Sequence, residues 1–307
     1  MKKAHLKTLI RCTIKPLFHP WVPFKLRRLL MHSSRLLHRK VAHVNRSTVR
    51  LGGCSSYCVA HQHASHLTLL YLHGGGYVFG GVYTHKPLVD NLAATGKCKV
   101  VMPNYRLAPE YPFPAALHDA LACYKALLEQ GTPAEHIVVA GDSAGGGLAL
   151  ALALQLKANA IPQPRALVLL SPWVDLTLSG ASITERRQRD PMLLPSGLAS
   201  CARAYCQTTE LNNPLCSPLF ADLTDLPPLI IQVGTEEILF SDAQALHRKA
   251  LAANVKSSLS EFSGMWHDFQ LHAGQLDESN QALNDIFANE AVASISSSVK
   301  PIKTPEL

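Results

Sequence analysis

Apolar and polar positions change rhythm near residue 45. Before it, Leu6, Leu9, Ile10, Thr13 and Leu17 recur at a 3.6-residue spacing, with Lys3, Lys7, Arg11 and Lys15 running down the opposite side. Pro16, Pro20 and Pro23 interrupt the pattern, and Leu26, Leu29, Leu30, Leu36 and Leu37 resume it. One or two amphipathic helices are predicted over residues 1–40. They can act as a lid over a pocket, pack on the rest of the chain, or lie on a membrane surface.

Beyond residue 45 short apolar runs alternate with helical patterns. Ser47–Leu51 and Ser56–His61 read as a hairpin, and Leu67–Leu72 is an unbroken apolar run, as expected of a strand buried on both faces. Further strands are predicted at Lys99–Met102, Ile137–Ala140, Ala166–Leu170, Leu229–Val233 and Ser257–Phe262. Helices are predicted at Ala115–Gln130, Ala144–Lys157 and Asp242–Ala253. Such alternation implies an α/β fold, a mostly parallel sheet covered on both faces by helices. Residues 175–215, with Glu185, Arg186, Arg187, Arg189 and Asp190 at their centre and a helical stretch around Leu193–Tyr205, break the alternation and read as a cap insertion. The predicted organisation is therefore cap helices over 1–45, a catalytic domain over 46–174 and 216–293, the insertion, and a frayed Ser-rich tail over 294–307.

Charge sharpens this division. Of 29 Lys and Arg residues, 13 fall within the first 50 positions, where no Asp or Glu occurs; the rest holds 16 basic against 22 acidic residues. Only the arm is basic, and no nucleic-acid motif accompanies it, so nucleic acid is excluded as a partner. No apolar run approaches the ~20 residues needed to cross a bilayer, so stable membrane insertion is not expected. Eight cysteines without a CxxC pair, and a charged start with no apolar signal segment behind it, predict reduced thiols and a cytoplasmic location.

The chemistry concentrates in short motifs at predicted strand ends. Gly141-Asp142-Ser143-Ala144-Gly145 sits between the strand IVVA and a helix. A G-x-S-x-G at that junction presents the serine hydroxyl on a tight turn, and small neighbours are needed because the backbone passes so close. The following helix aims its first N–H, that of Ala144, at the place where negative charge develops. His73-Gly74-Gly75-Gly76-Tyr77 follows LTLLYL and exposes amides with no Cβ in the way, which suits an oxyanion site.

A serine nucleophile needs a base, and the base an orienting carboxylate. Among 15 histidines, His267 in Gly264-Met265-Trp266-His267 is the one that follows the last strand after a short loop; His272 lies further on, and His247 falls within a helix. The acid is expected after LIIQV. Asp242 falls at a helix start, where it serves the helix dipole. Glu236 and Glu237 remain, with Glu237 favoured.

These motifs, together with Asn104-Tyr105-Arg106-Leu107-Ala108-Pro109-Glu110 and Pro112-Phe113-Pro114, resemble the hormone-sensitive-lipase family of α/β-hydrolases over roughly residues 40–290, its bacterial acetyl-esterase and ε-lactone-hydrolase members most of all. The resemblance implies an α/β-hydrolase fold with a lid from the N-terminal segment and the insertion. It implies Ser143 as nucleophile, His267 as base, an oxyanion hole from Gly75, Gly76 and Ala144, and the acid at Glu237, where many members carry Asp before Pro-Leu. Glu110 and Asp142 become structural supports. The expected activity is serine carboxylesterase hydrolysis of neutral, short- to medium-chain acyl esters, with no cofactor and no metal. A lipase or lactone hydrolase would use the same triad, and a non-catalytic receptor would lack one of its members. A homodimer stays open.

Weaker signals have plainer readings. His61, His63 and His66 suit a solvated loop better than a metal site, and the cysteines suit small buried apolar positions. Arg186, Arg187 and Arg189 read as a solvated lid face. Tyr77 and Trp266 either pack the core or line the acyl pocket.

Overall fold

The computed structural model describes residues 3–32 and 40–293. The predicted helical continuation at Leu36 and Leu37 and the tail over 294–307 lie outside the described residues.

Eight strands form one sheet: β1 (Val44–Leu51), β2 (Cys54–His61), β3 (Thr68–Leu72), β4 (Lys99–Pro103), β5 (Ile137–Asp142), β6 (Ala166–Leu170), β7 (Leu229–Gly234) and β8 (Ser257–Phe262). Their order across the sheet is β1-β2-β4-β3-β5-β6-β7-β8. The β1–β2 hairpin is antiparallel and joins β4 antiparallel, whereas β4, β3, β5, β6, β7 and β8 run parallel. Parallel strands buried on both faces need apolar residues at every position. In β3, Leu70 and Leu72 enter the core on one face and Leu69 and Tyr71 the core on the other; in β5, Ile137 and Val139 alternate with Val138 and Ala140.

One face is covered by α4 (Ala115–Glu129), α5 (Ala144–Ala158) and α8 (Phe240–Ala252), the other by α3 (Val82–Gly96) and α9 (Asp277–Ala288). Helix α5 is apolar almost all round because it packs on β5, β6 and α4 together. Sequence pattern missed α3, which contains Pro87 and mixes polar and apolar residues without a clean stripe. It missed α9 as well, whose buried residues are Ser279, Ala282, Leu283 and Ile286.

The insertion leaves the sheet after β6 and returns before β7. It carries a single-turn helix α6 (Ser182–Glu185) and α7 (Pro195–Cys206). The N-terminal arm forms α1 (Lys3–Thr13), a 3-10 turn over Lys15–Phe18 and α2 (Phe24–His32). Leu6 and Ile10 of α1 are buried, and Phe18 meets Phe79 edge to face at 5.5 Å. Several of the arm's cations bond within the molecule. Lys3 pairs with Glu278 at 2.9 Å, Lys7 with Glu236, and Arg28 with Glu110 at 2.8 Å, while Arg11 and Lys15 donate to carbonyls of residues 187–190. Part of the basic charge read from the sequence is thus met by carboxylates and carbonyls of the body. Each exposed pair contributes only about 0–1 kcal/mol, so the buried face of the arm carries more of its attachment.

Candidate active site

Four strand ends meet at the carboxyl edge of the sheet, where ligands bind in open α/β sheets. Ser143 lies between β5 and α5 with φ 51 and ψ −121, a left-handed backbone that few non-glycine residues adopt. The turn closes because Gly145 lies against the backbone of β3; a Cβ there would overlap the Leu72 carbonyl oxygen. Ala144 opens α5, with its amide in the first turn.

The glycine loop after β3 curls back on itself, with the Val78 and Phe79 amides donating to the Gly75 carbonyl at 3.1 Å. Gly75 has φ 117, and a Cβ there would strike the Phe79 carbonyl. Among the described residues the Gly75 and Gly76 amides have no acceptor. The loop is fixed from below by Asp142, whose Oδ1 accepts the Gly74 amide at 2.9 Å and the Tyr71 hydroxyl at 2.7 Å. His85 Nε2 lies 2.9 Å from Asp142 Oδ2. Burial alone would raise the Asp142 carboxyl, yet His85 and the Tyr71 hydroxyl outweigh it and hold it down at about 2. Tyr105 of the Asn-Tyr-Arg motif donates to the His73 carbonyl at 2.6 Å and stacks on that imidazole at 4.2 Å.

His267 follows β8, and its Nδ1 lies 2.7 Å from Glu237 Oε2. Both side chains are almost fully buried. Glu237 Oε1 accepts the Gly234 amide at 2.6 Å and the Ser171 hydroxyl at 2.8 Å. Glu236 instead points outward, one quarter exposed and paired with Lys7. Asp242 does not serve its own helix. Its Oδ2 accepts the amides of Val174 and Asp175 at 3.1 and 3.0 Å, fastening α8 to the segment after β6.

Ser143, Gly75, Gly76 and His267 line one cavity of about 450 Å³. Among the described residues no hydrogen bond joins the Ser143 hydroxyl to His267. Nε2 of the imidazole lies instead 3.1 Å from Asp268 Oδ2. The cavity's apolar wall includes Leu6, Ile10 and Phe18 of the arm and Met192, Leu193 and Leu198 of the insertion.

A family profile described as alpha/beta hydrolase fold matches residues 69–271. An acetyl-hydrolase of Streptomyces hygroscopicus is 42% identical over 235 residues, which are 76% of this chain and 79% of that protein. An esterase of Acinetobacter venetianus is 35% identical over 282 residues, 91% of this chain and 93% of its own. The crystal structure of an esterase from the bacterial hormone-sensitive lipase family superposes with a TM-score of 0.90 at 34% identity, covering 96% of this chain and all of that one. The chain belongs to the hormone-sensitive-lipase family of α/β-hydrolases. It is a carboxylic ester hydrolase.

For such a hydrolase, three buried residues matter to which sequence reading gave no role at the site. Ser171, just past β6, joins the Glu237 carboxylate to the Asp268 amide. Asp190 of the insertion accepts the amides of Met192, Leu193 and Ile238 at 2.8–3.0 Å, so this segment is tied to the residue beside Glu237. His85 braces the glycine loop through Asp142. None carries a local signal, because each acts through a partner more than 45 residues away.

Tyr77 and Trp266 belong to the hydrolase core and are absent from the cavity wall; Tyr77 stacks on Tyr205 at 3.8 Å. Arg186 lies over the Phe240 ring at 3.6 Å and donates to the Thr235 carbonyl, so it departs from the solvated lid face expected of it. Seven cysteines are buried and Cys12 is exposed. Among the described residues no group of three or more His, Cys, Asp or Glu could hold a metal ion, and no helix is long and apolar enough to cross a membrane.

Proposed function

We propose that the chain hydrolyses neutral, short- to medium-chain acyl esters through an acyl-enzyme formed on Ser143. The Ser143 oxygen attacks the ester carbonyl while Nε2 of His267 takes its proton, and Glu237 at Nδ1 orients the ring and stabilises its cation. The Gly75, Gly76 and Ala144 amides face the oxyanion that develops. The tetrahedral adduct collapses as His267 returns the proton to the departing alcohol. Water, deprotonated by the same imidazole, then attacks the acyl-enzyme and releases the acid.

The observation that carries this reading is the Glu237–His267 contact at 2.7 Å in the wall of a cavity shared with Ser143 and the glycine loop. The apolar walls favour uncharged substrates, since a charged group would lose its hydration there. An acetyl-hydrolase among the relatives fits the short end of the range. Unbridged thiols accord with a cytoplasmic setting.

Ser143→Ala is expected to abolish hydrolysis of p-nitrophenyl butyrate. Glu237→Gln is expected to lose orders of magnitude and Glu236→Gln little. Activity persisting in the serine variant would remove the mechanism, and the reverse order of the two glutamate variants would move the acid role.

A further inference from the structure

We propose that Asp268 is a positioning residue for the base: in the resting enzyme its carboxylate engages Nε2 of His267 and must release it before the imidazole can serve Ser143. The proposal rests on the triad reading above. Both ring nitrogens of His267 face carboxylate oxygens, Nδ1 toward Glu237 at 2.7 Å and Nε2 toward Asp268 at 3.1 Å. Two carboxylates against one ring favour its doubly protonated, cationic form, by hydrogen bonding at Nδ1 and by Coulomb attraction at Nε2. An imidazolium cannot take the Ser143 proton.

Asp268 is held in this position by the fold. Its backbone is left-handed, with φ 53, a conformation that Asp and Asn tolerate better than most residues. Its amide donates to Ser171 Oγ at 3.3 Å, and that hydroxyl donates to Glu237. Asp268 is 6% exposed, and its Oδ1 has no partner among the described residues. A buried ion with a free oxygen is costly, so the His267 cation is what keeps the carboxylate there.

The surrounding charge favours that cation. Glu237 comes from the turn after β7, Asp190 from the insertion, and Asp142 from the end of β5, where it is paired with His85; Arg186 faces Glu237 from the insertion side. Burial opposes the His267 cation, but Asp268 and Glu237 together hold it well above the ordinary histidine value. Burial pushes Asp268 up to about 7 against the pull of His267. The activating step is the loss of one proton to water: the Nε2–H bond breaks, its electron pair stays on nitrogen, and a neutral imidazole remains beside an ionised Asp268. Two lone pairs then face each other, the contact loosens, and Nε2 becomes free to accept from Ser143.

The test is the pH dependence of kcat/KM on p-nitrophenyl butyrate, from pH 5 to 10, for the wild type, Asp268→Asn and Asp268→Glu. The same limb is read without an ester from the rate at which diethyl p-nitrophenyl phosphate inactivates Ser143. Removing an adjacent opposite charge lowers the acid limb by about one unit or more. Relative to its own plateau, Asp268→Asn is therefore expected to be about tenfold ahead of the wild type at a pH on the wild-type limb. Asp268→Glu is expected to move the limb back. A limb unmoved in Asp268→Asn, with Ser143→Ala inactive, would overturn the role of Asp268 alone. An active Ser143→Ala would overturn the triad and this proposal with it. Should the Asn variant fold poorly, 15N-histidine spectra of the wild type decide: two protonated nitrogens on His267 are expected below the limb, and a bare Nε2 there overturns the proposal.

Discussion

Ser171→Ala isolates a hydroxyl that touches neither substrate nor reacting atoms. Ser171 is fully buried, donates to Glu237 Oε1 at 2.8 Å and accepts from the Asp268 amide at 3.3 Å. Its φ of 44 is shared without new strain by Ala, so the backbone survives the change. A hydrogen bond to a buried charged group contributes about 1.5–3 kcal/mol. Glu237 keeps the Gly234 amide and His267, so at a pH above the acid limb, where the resting imidazole is neutral, the loss falls mostly on the transition state of the proposed mechanism, in which His267 is cationic. At about 1.4 kcal/mol per decade, kcat is expected to fall about 10- to 100-fold with KM nearly unchanged. The orphaned Asp268 amide costs about 1–3 kcal/mol of stability. For a chain of 307 residues the unfolding entropy near Tm is about 0.6 kcal/mol/K, so Tm is expected to drop by about 2–5 °C. Initial rates with p-nitrophenyl butyrate and a thermal melt give both quantities. A lowered Tm with unchanged kcat would refute the reasoning, because Ser171 would then support only the fold.

Gly145→Ala is expected to cost soluble expression or lower Tm by more than 5 °C, since the new Cβ would meet the Leu72 backbone; an unaltered melt would contradict the close approach. Ile10→Trp fills the arm-side wall of the cavity, so kcat/KM for p-nitrophenyl octanoate is expected to fall at least about tenfold relative to acetate, and equal losses on both esters would deny Ile10 that role. Burial, with Asp175 adding to it, pushes Asp242 up to about 8. A folded value above the unfolded one contributes stability that is complete below about pH 4 and lost by about pH 8. Tm is therefore expected to decline from pH 5 to 9, and Asp242→Asn, which keeps an oxygen for the Val174 and Asp175 amides, is expected to flatten the decline. Equal slopes in both proteins would reject the assignment.

The sheet was legible because parallel strands buried on both faces write themselves as apolar runs: LTLLYL, IVVA and ALVLL needed no tertiary information. The serine turn at Gly141–Gly145 and the glycine loop were legible for a related reason, since a backbone packed so closely excludes side chains and leaves glycines behind. Helices α3 and α9 were not, because Pro87 and a stripe built on Ser279 and Ala282 blur the 3.6-residue period.

Sequence alone determined the strand order along the chain, the motifs at the strand ends and the basic arm, all properties of neighbours a few residues apart. Only the tertiary structure separated Glu237 from Glu236, adjacent carboxylates of which one faces His267 and the other Lys7. It alone brought Ser171 to the Glu237 carboxylate and Asp268 to His267, tied Asp190 to the Ile238 amide, and set Lys3, Lys7 and Arg28 against Glu278, Glu236 and Glu110. The reason is physical. A side chain's direction at a loop, and the charge it meets there, are fixed by elements packed against it from distant parts of the chain, and no local spacing records them.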